Sequence, residues 1–183
     1  MANAPDPTTR IDVIFSAAEI AARIKVLAGE VAARAPHDLL VVPILKGSFI
    51  FAGDLVRALH HADLTPEIDF LTLASYGDAT FSSGEVRVTR DITSEIAGRD
   101  VLIVDDILET GRTLAHAKAL VLDRGATSAM TCVLLDKPVP RAGEINADFK
   151  AFDCPEVFVV GYGMDLANRY RELPFVGNLI TDN

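Results

Sequence analysis

The sequence predicts an α/β protein: a mainly parallel sheet covered by helices on both faces. Three observations point there. Short apolar runs alternate with amphipathic stretches of helical period, glycine and proline punctuate the joins, and no segment repeats another. No linker divides the pattern, so residues 1–183 read as one domain, long enough to bury a single substantial core.

The elements follow in order. A Pro-rich start over about 1–10 reads as loose. Ser16, with Glu19 three residues on, forms a capping-box signature, and Ile20, Ile24, Leu27 and Val31 recur at helical spacing, predicting a helix that ends near Arg34. Residues 39–45 are an apolar run short enough for a buried strand. After Lys46-Gly47 a second helical pattern covers 48–60, completing a strand, turn and helix unit. Residues 68–73 read as the next strand. The stretch SYGDATFSSGE at 75–85 is polar and glycine-bearing, predicting a flexible lid, and VRVTRDI after it alternates like a strand. A strand over 101–105 leads through a turn into a helix over 113–124, closed by Gly125. Residues 130–135 predict a strand, followed by a loop with Pro138, Pro140 and Gly143. Residues 157–160 predict a last short buried strand, and the remainder, GYGMDLANRYRELPFVGNLI, is irregular by pattern.

Composition excludes several functions. Half the chain is apolar and 23% is charged, a globular balance. A formal charge of −9 argues against a broad phosphate-binding surface for nucleic acid, while leaving room for a small anion held by local dipoles and Mg²⁺. Cys132 and Cys154 are too few for a disulfide framework, lack metal-ligand spacing and read as buried thiols. No stretch approaches a membrane span and the N-terminus lacks a signal-peptide pattern, so the expectation is a cytoplasmic protein with no membrane partner.

The segment VLIVDDILETGRT at 101–113 carries the most chemistry. Strand alternation sends Asp105 and Asp106 to opposite faces, yet both end a strand whose carboxyl edge is where open α/β sheets bind ligands. Thr110, Gly111, Arg112 and Thr113 then open a helix, giving hydroxyls, close backbone approach and free N–H groups, an anion seat. Carboxylates would repel a bare phosphate. A ligand with hydroxyl donors, or a Mg²⁺ beside its phosphate, reconciles the two, and a ribose phosphate meets both demands. Competing patterns fail: no GxxxxGK[ST] loop is present, and Gly161-Tyr162-Gly163 has Leu166 where a dinucleotide fingerprint needs its third glycine.

This segment resembles the phosphoribosyl-pyrophosphate (PRPP) motif of type I phosphoribosyltransferases. VPILKGS at 42–48, Ser75-Tyr76, LLDKP at 134–138, and FVVGYGMD followed by Arg171 resemble its 6-oxopurine branch, so the likeness spans about residues 10–180. The resemblance implies the type I fold with a small hood and a flexible loop. It also implies transfer of a phosphoribosyl group from Mg²⁺-PRPP to N9 of a 6-oxopurine, and usually a homo-oligomer, dimer or tetramer. Asp105 and Asp106 then hold the ribose hydroxyls directly or through the metal. Residues 110–113 anchor the 5′-phosphate. Lys46 and Gly47, joined to Leu45 by a cis peptide, meet the pyrophosphate with Arg171, and Asp165 coordinates Mg²⁺. Lys137 donates to the purine 6-oxo group, Phe158 stacks on the ring and the Val159 backbone meets the 2-position. Ser75 and Tyr76 close the lid. By its strand pattern alone, Phe158 reads as a core residue.

One position departs from the family. Its usual third acid is Asp, the residue that takes the N7 proton, and here it is Glu109, which keeps the carboxylate but reaches about 1.5 Å farther. A PRPP-sensing nucleic-acid-binding regulator on the same fold is the alternative, and the acidic charge weighs against it.

Overall fold

The chain enters its first strand, β1 (Arg10–Phe15), with no sequence signal to announce it. This and all that follows comes from a computed structural model, which describes residues 10–75, 86–141 and 145–180. Helix α1 (Ala17–Ala32) starts on the expected capping box: the Ser16 hydroxyl accepts from the Glu19 N–H at 3.3 Å, and Glu19 accepts from the Ser16 N–H at 2.8 Å. Its apolar stripe, Ile20, Ile24, Leu27, Ala28 and Val31, is buried.

Strand β2 (Leu40–Leu45), helix α2 (Phe49–His61), the two-residue β3 (Glu67–Ile68), β4 (Leu71–Ser75) and β5 (Val86–Arg90) come next. Strand β6 (Asp100–Leu108), helix α3 (Arg112–Asp123), β7 (Ser128–Asp136), β8 (Phe149–Asp153), β9 (Val159–Val160) and β10 (Val176–Ile180) complete the order. The main sheet runs β5-β4-β2-β6-β7-β8, with β3 also on β2. Every pairing in it is parallel except that of β4 with β5. The predicted architecture is borne out.

Period-two alternation explains the layers. Leu102 and Val104 of β6 pack with the apolar faces of α1 and α2, whereas Val101 and Ile103 pack with Leu114, Ala117 and Val121 of α3. A strand buried on both faces reads as a continuous apolar run, as 101–104 does. A cavity of about 680 Å³ lies between α1 and α2 at Ile24, Asp54, Arg57 and His61, away from the residues singled out above.

A second sheet, β1-β10-β9, is antiparallel and forms the hood. Here the sequence reading needs correction. Residues 176–180 are a strand and not irregular chain, 149–153 are a strand that pattern did not assign, and the expected 157–160 strand shrinks to Val159–Val160. Gly177 is the reason β10 was hidden. Glycine reads as a turn signal, but here it admits β1: a Cβ would strike the Ile11 side chain and crowd the Asp12 carbonyl and the Phe175 ring. Ser75 closes β4 opposite Val86. Tyr76, the rest of the expected lid and residues 1–9 lie outside the described residues.

Candidate active site

Strands β2 and β6 are parallel neighbours, so the turns leaving their carboxyl ends stand side by side. After β2 the Leu45–Lys46 peptide is cis, as the resemblance implied, and Lys46 is exposed. The buried Ser48 hydroxyl donates to the Ile44 carbonyl at 2.6 Å and ties this turn to the strand that feeds it. Gly47 has no side chain because there is no room: a Cβ would fall inside the Asp106 carboxylate.

Asp105 is buried and Asp106 half-buried. The Asp106 N–H donates to Asp105 at 3.1 Å, and the Ile107 N–H to Asp106 at 2.9 Å. Burial, then the charge of Asp106, pushes the Asp105 carboxyl well above the usual carboxylate range. Burial also raises Asp106, although its hydrogen bonds and the positive Arg171 pull the other way. Two crowded, desolvated acids suit a ligand that brings hydroxyl donors or positive charge.

The turn after β6 supplies the anion seat. Glu109 and Thr110 are exposed, Thr113 is half-buried, and Gly111 is the N-cap of α3 with φ 78°, a left-handed backbone that glycine adopts without strain. No side chain caps this helix end, leaving its first N–H groups to a ligand. Arg112 begins the helix with its side chain exposed. A cavity of about 270 Å³ opens between Gly47, Asp105, Asp106, Glu109, Gly111 and Thr113.

On the other flank, the Lys137 N–H donates to the Leu108 carbonyl at 2.9 Å, stitching the loop after β7 to the end of β6. Lys137 Nζ then lies 3.4 Å from Glu109 Oε1, with its side chain only 12% exposed. Phe158 is 51% exposed, which corrects the core reading its strand pattern suggests, and Val159 beside it is buried. The hood positions both: Leu179 N–H donates to the Phe158 carbonyl at 3.0 Å, and Val159 pairs with Asn178.

The hood loop closes the remaining side. Arg171 pairs with Asp165 at 2.6 Å and donates to the Gly163 carbonyl at 2.5 Å. Gly163, at φ 102°, backs onto the Gly47 carbonyl with no space for a Cβ. Bare backbone on both sides thus joins hood to turn. Lys46, Gly47, Ser75, Asp105, Asp106, residues 109–113 and Lys137 stand at the carboxyl ends of neighbouring strands, the Gly163–Gly47 contact brings the hood loop with Asp165 and Arg171 against them, and Phe158 and Val159 sit on the hood. Ser48 and Gly163 were not singled out among the residues expected in the site, although each lies inside a motif quoted for the resemblance, VPILKGS and FVVGYGMD.

Among the described residues no group of three or more His, Cys, Asp or Glu could hold a metal ion alone. A cation here would be shared between one or two carboxylates and a ligand's own oxygens, which is how Mg²⁺ is commonly held, so Asp105, Asp106 and Asp165 fit that ion.

Acids at the carboxyl edge of a parallel sheet, an uncapped helix start beside them and a separate antiparallel hood define a transferase that handles phosphorylated sugars. Comparison with known families agrees, since the phosphoribosyl transferase domain matches residues 11–167. The chain belongs to the phosphoribosyl transferase family. It is 42% identical to the hypoxanthine-guanine phosphoribosyltransferase of Bacillus subtilis (strain 168) over 168 residues, 91% of this chain and 92% of the relative. It is 39% identical to the hypoxanthine phosphoribosyltransferase of Escherichia coli (strain K12), covering 93% of this chain and 96% of that one. The crystal structure of a hypoxanthine phosphoribosyltransferase from Staphylococcus aureus superposes with a TM-score of 0.86 at 38% identity, covering 92% and 91% of the two chains. Among the described residues no helix is long and apolar enough to cross a membrane.

Proposed function

We propose that this protein transfers the phosphoribosyl group of PRPP to N9 of a 6-oxopurine, hypoxanthine or guanine, releasing pyrophosphate and a nucleoside monophosphate. The observation that carries the reading is the buried acid pair beside an uncapped helix start, in a chain 42% identical to a hypoxanthine-guanine phosphoribosyltransferase.

Breaking the C1′ bond builds positive charge on the ribose and negative charge on the leaving diphosphate, so the residues act chiefly through electrostatics. Asp105 and Asp106 hold the ribose hydroxyls and face the developing cation. Backbone N–H groups and hydroxyls of residues 110–113 anchor the 5′-phosphate, a remote group whose binding orients the reacting carbon. Lys46, the Gly47 backbone and Arg171 receive the diphosphate. Asp105, Asp106 and Asp165 would hold the Mg²⁺ that accompanies PRPP, which would supply further neutralisation of that leaving group. Glu109 takes the purine N7 proton as N9 attacks. Lys137 donates to the 6-oxo oxygen, Phe158 offers its exposed face to the ring, and the Val159 backbone meets the 2-position.

The 3.4 Å contact between Lys137 and Glu109 supports the base assignment, because the proton acceptor and the 6-oxo donor must reach adjacent atoms of one ring. The longer arm of Glu109, lying toward Lys137, supports a glutamate serving where the family usually has aspartate. Mixing the protein with PRPP, Mg²⁺ and hypoxanthine should give the absorbance change of nucleotide formation, and an RNA gel shift at physiological salt should show no binding. No absorbance change would overturn the reading. For Glu109→Gln we expect kcat to fall about a hundredfold or more, and a loss below about tenfold would remove Glu109 as base.

A further inference from the structure

We propose that Arg141 is a positioning residue that holds the purine-side lysine and the phosphate turn in register with each other, an inference that rests on the transferase reading above. Arg141 follows Pro140 in the loop after β7, and its side chain is only 16% exposed. One end of its guanidinium pairs with Asp136, the last residue of β7, and donates to the Lys137 carbonyl at 3.2 Å. The other end donates to the Ile145 carbonyl and to Asn146 Oδ1, each at 3.1 Å. A single planar fork therefore grips the chain on both sides of the Lys137 peptide and fastens it to residues 145–146.

Ile145 makes this grip relevant to the phosphate. Its γ2 methyl occupies the place where a Cβ on Gly111 would stand, so it is the surface against which the left-handed residue of the turn rests. Moving the fork moves Lys137 and the support of Gly111 together. Lys150, the other partner of Asp136 at 3.4 Å, is 45% exposed and also engaged with Asp153. A lysine at 141 would bring a compact ammonium in place of the rigid fork. Among the described residues Arg141 Nε is buried with no hydrogen-bond partner, and the group is held through its two terminal nitrogens.

The test uses three ligands on the full chain: IMP, purine riboside 5′-monophosphate, which lacks the 6-oxygen and the hydrogen on N1, and ribose 5-phosphate. Dissociation constants from calorimetry are paired with thermal melts. The wild type should prefer IMP over the deoxo nucleotide by about tenfold or more, the worth of one hydrogen bond to a charged donor. In Arg141→Met and Arg141→Lys that preference should shrink to about threefold or less, and ribose 5-phosphate should bind about fivefold more weakly. Lys150→Met, which touches the same aspartate and not the Lys137 loop, should change neither quantity. A uniform weakening of both nucleotides, with their ratio kept, would mean a merely structural role and overturn the proposal. So would variants that leave the ratio and the ribose 5-phosphate affinity untouched. Should Arg141→Met fail to fold, Arg141→Lys and Asp136→Asn decide by the same two numbers. A wild type that does not distinguish the two nucleotides overturns the transferase reading along with this one, whereas a discriminating wild type with unaltered variants overturns only the role of Arg141.

Discussion

Gly47 shows how much one absent side chain can decide. Its hydrogen faces the Asp106 carboxylate on one side while its carbonyl meets Gly163 on the other. Adding a methyl must displace Asp106, and an ångström of displacement in a reacting assembly costs about a hundredfold in rate. Gly47→Ala should therefore lower kcat/KM by about that factor with a melting temperature close to wild type. Gly53 is the contrast. It sits inside α2 with nothing within 4 Å of its would-be Cβ, so Gly53→Ala should stabilise the protein by about 0.5–1 kcal/mol and leave activity alone. Steady-state kinetics and urea melts of the two variants separate a glycine needed for space from one that is not. Residue identity was legible wherever chemistry forces it. Two acids before a hydroxyl-bearing turn announce themselves, but the exposure of Phe158 does not, because Val-Phe-Val-Val carries the same letters whether its phenylalanine faces core or solvent.

Between elements, the Ser48 hydroxyl is the smallest useful link. It joins the start of α2 to the last turn of β2 through the Ile44 carbonyl, in a fully buried setting. Ser48→Ala removes that buried hydrogen bond and should cost about 0.5–1.5 kcal/mol in a urea melt. It should also weaken PRPP binding by freeing the Lys46-Gly47 turn, and unchanged PRPP affinity would show that the turn is held by other means. Long periodic elements were readable from sequence. Helix α1 begins where its capping box says, and α2 and α3 begin and end within a residue of their patterns. The hood was not readable. Its strands are short, β9 is two residues, and β10 contains a glycine that serves a close backbone crossing. Such strands owe their form to a partner distant in the chain, and local patterning cannot express a partner.

At the scale of the whole molecule, several carboxylates outside the site are held ionised by the fold. Burial pulls the Asp69 carboxyl upward, but N–H groups of Ser94, Thr93 and Phe70 and the Thr93 hydroxyl more than offset it, leaving it well below the usual range. Asp91 is lowered by Arg124, and Asp100 by the Ser128 hydroxyl and the His37 N–H. Groups depressed in the folded state lend stability that is fully present above their unfolded values, about pH 4, and that fades as pH falls through the folded ones. Melting temperature should thus drop below about pH 4 as these contributions fade, whereas the buried Asp105, raised in the folded state, acts with the opposite sign and lends stability that is lost as pH rises through its folded value. Asp69→Asn should melt lower at neutral pH and show a shallower acid decline. A variant that declines as steeply as the wild type would remove Asp69 from this account.

The hood strand order has a consequence for the chain as it is made. Strand β10 lies between β1 and β9, so the last described strand clamps both the first one and the segment bearing Phe158 and Val159. A nascent polypeptide can form the acid pair and the turn after β6 before residues 176–180 emerge, yet the segment bearing Phe158 and Val159 stays unfastened until they do. On the reading proposed above, a variant lacking residues 176–180 should bind the sugar phosphate while failing to seat the base.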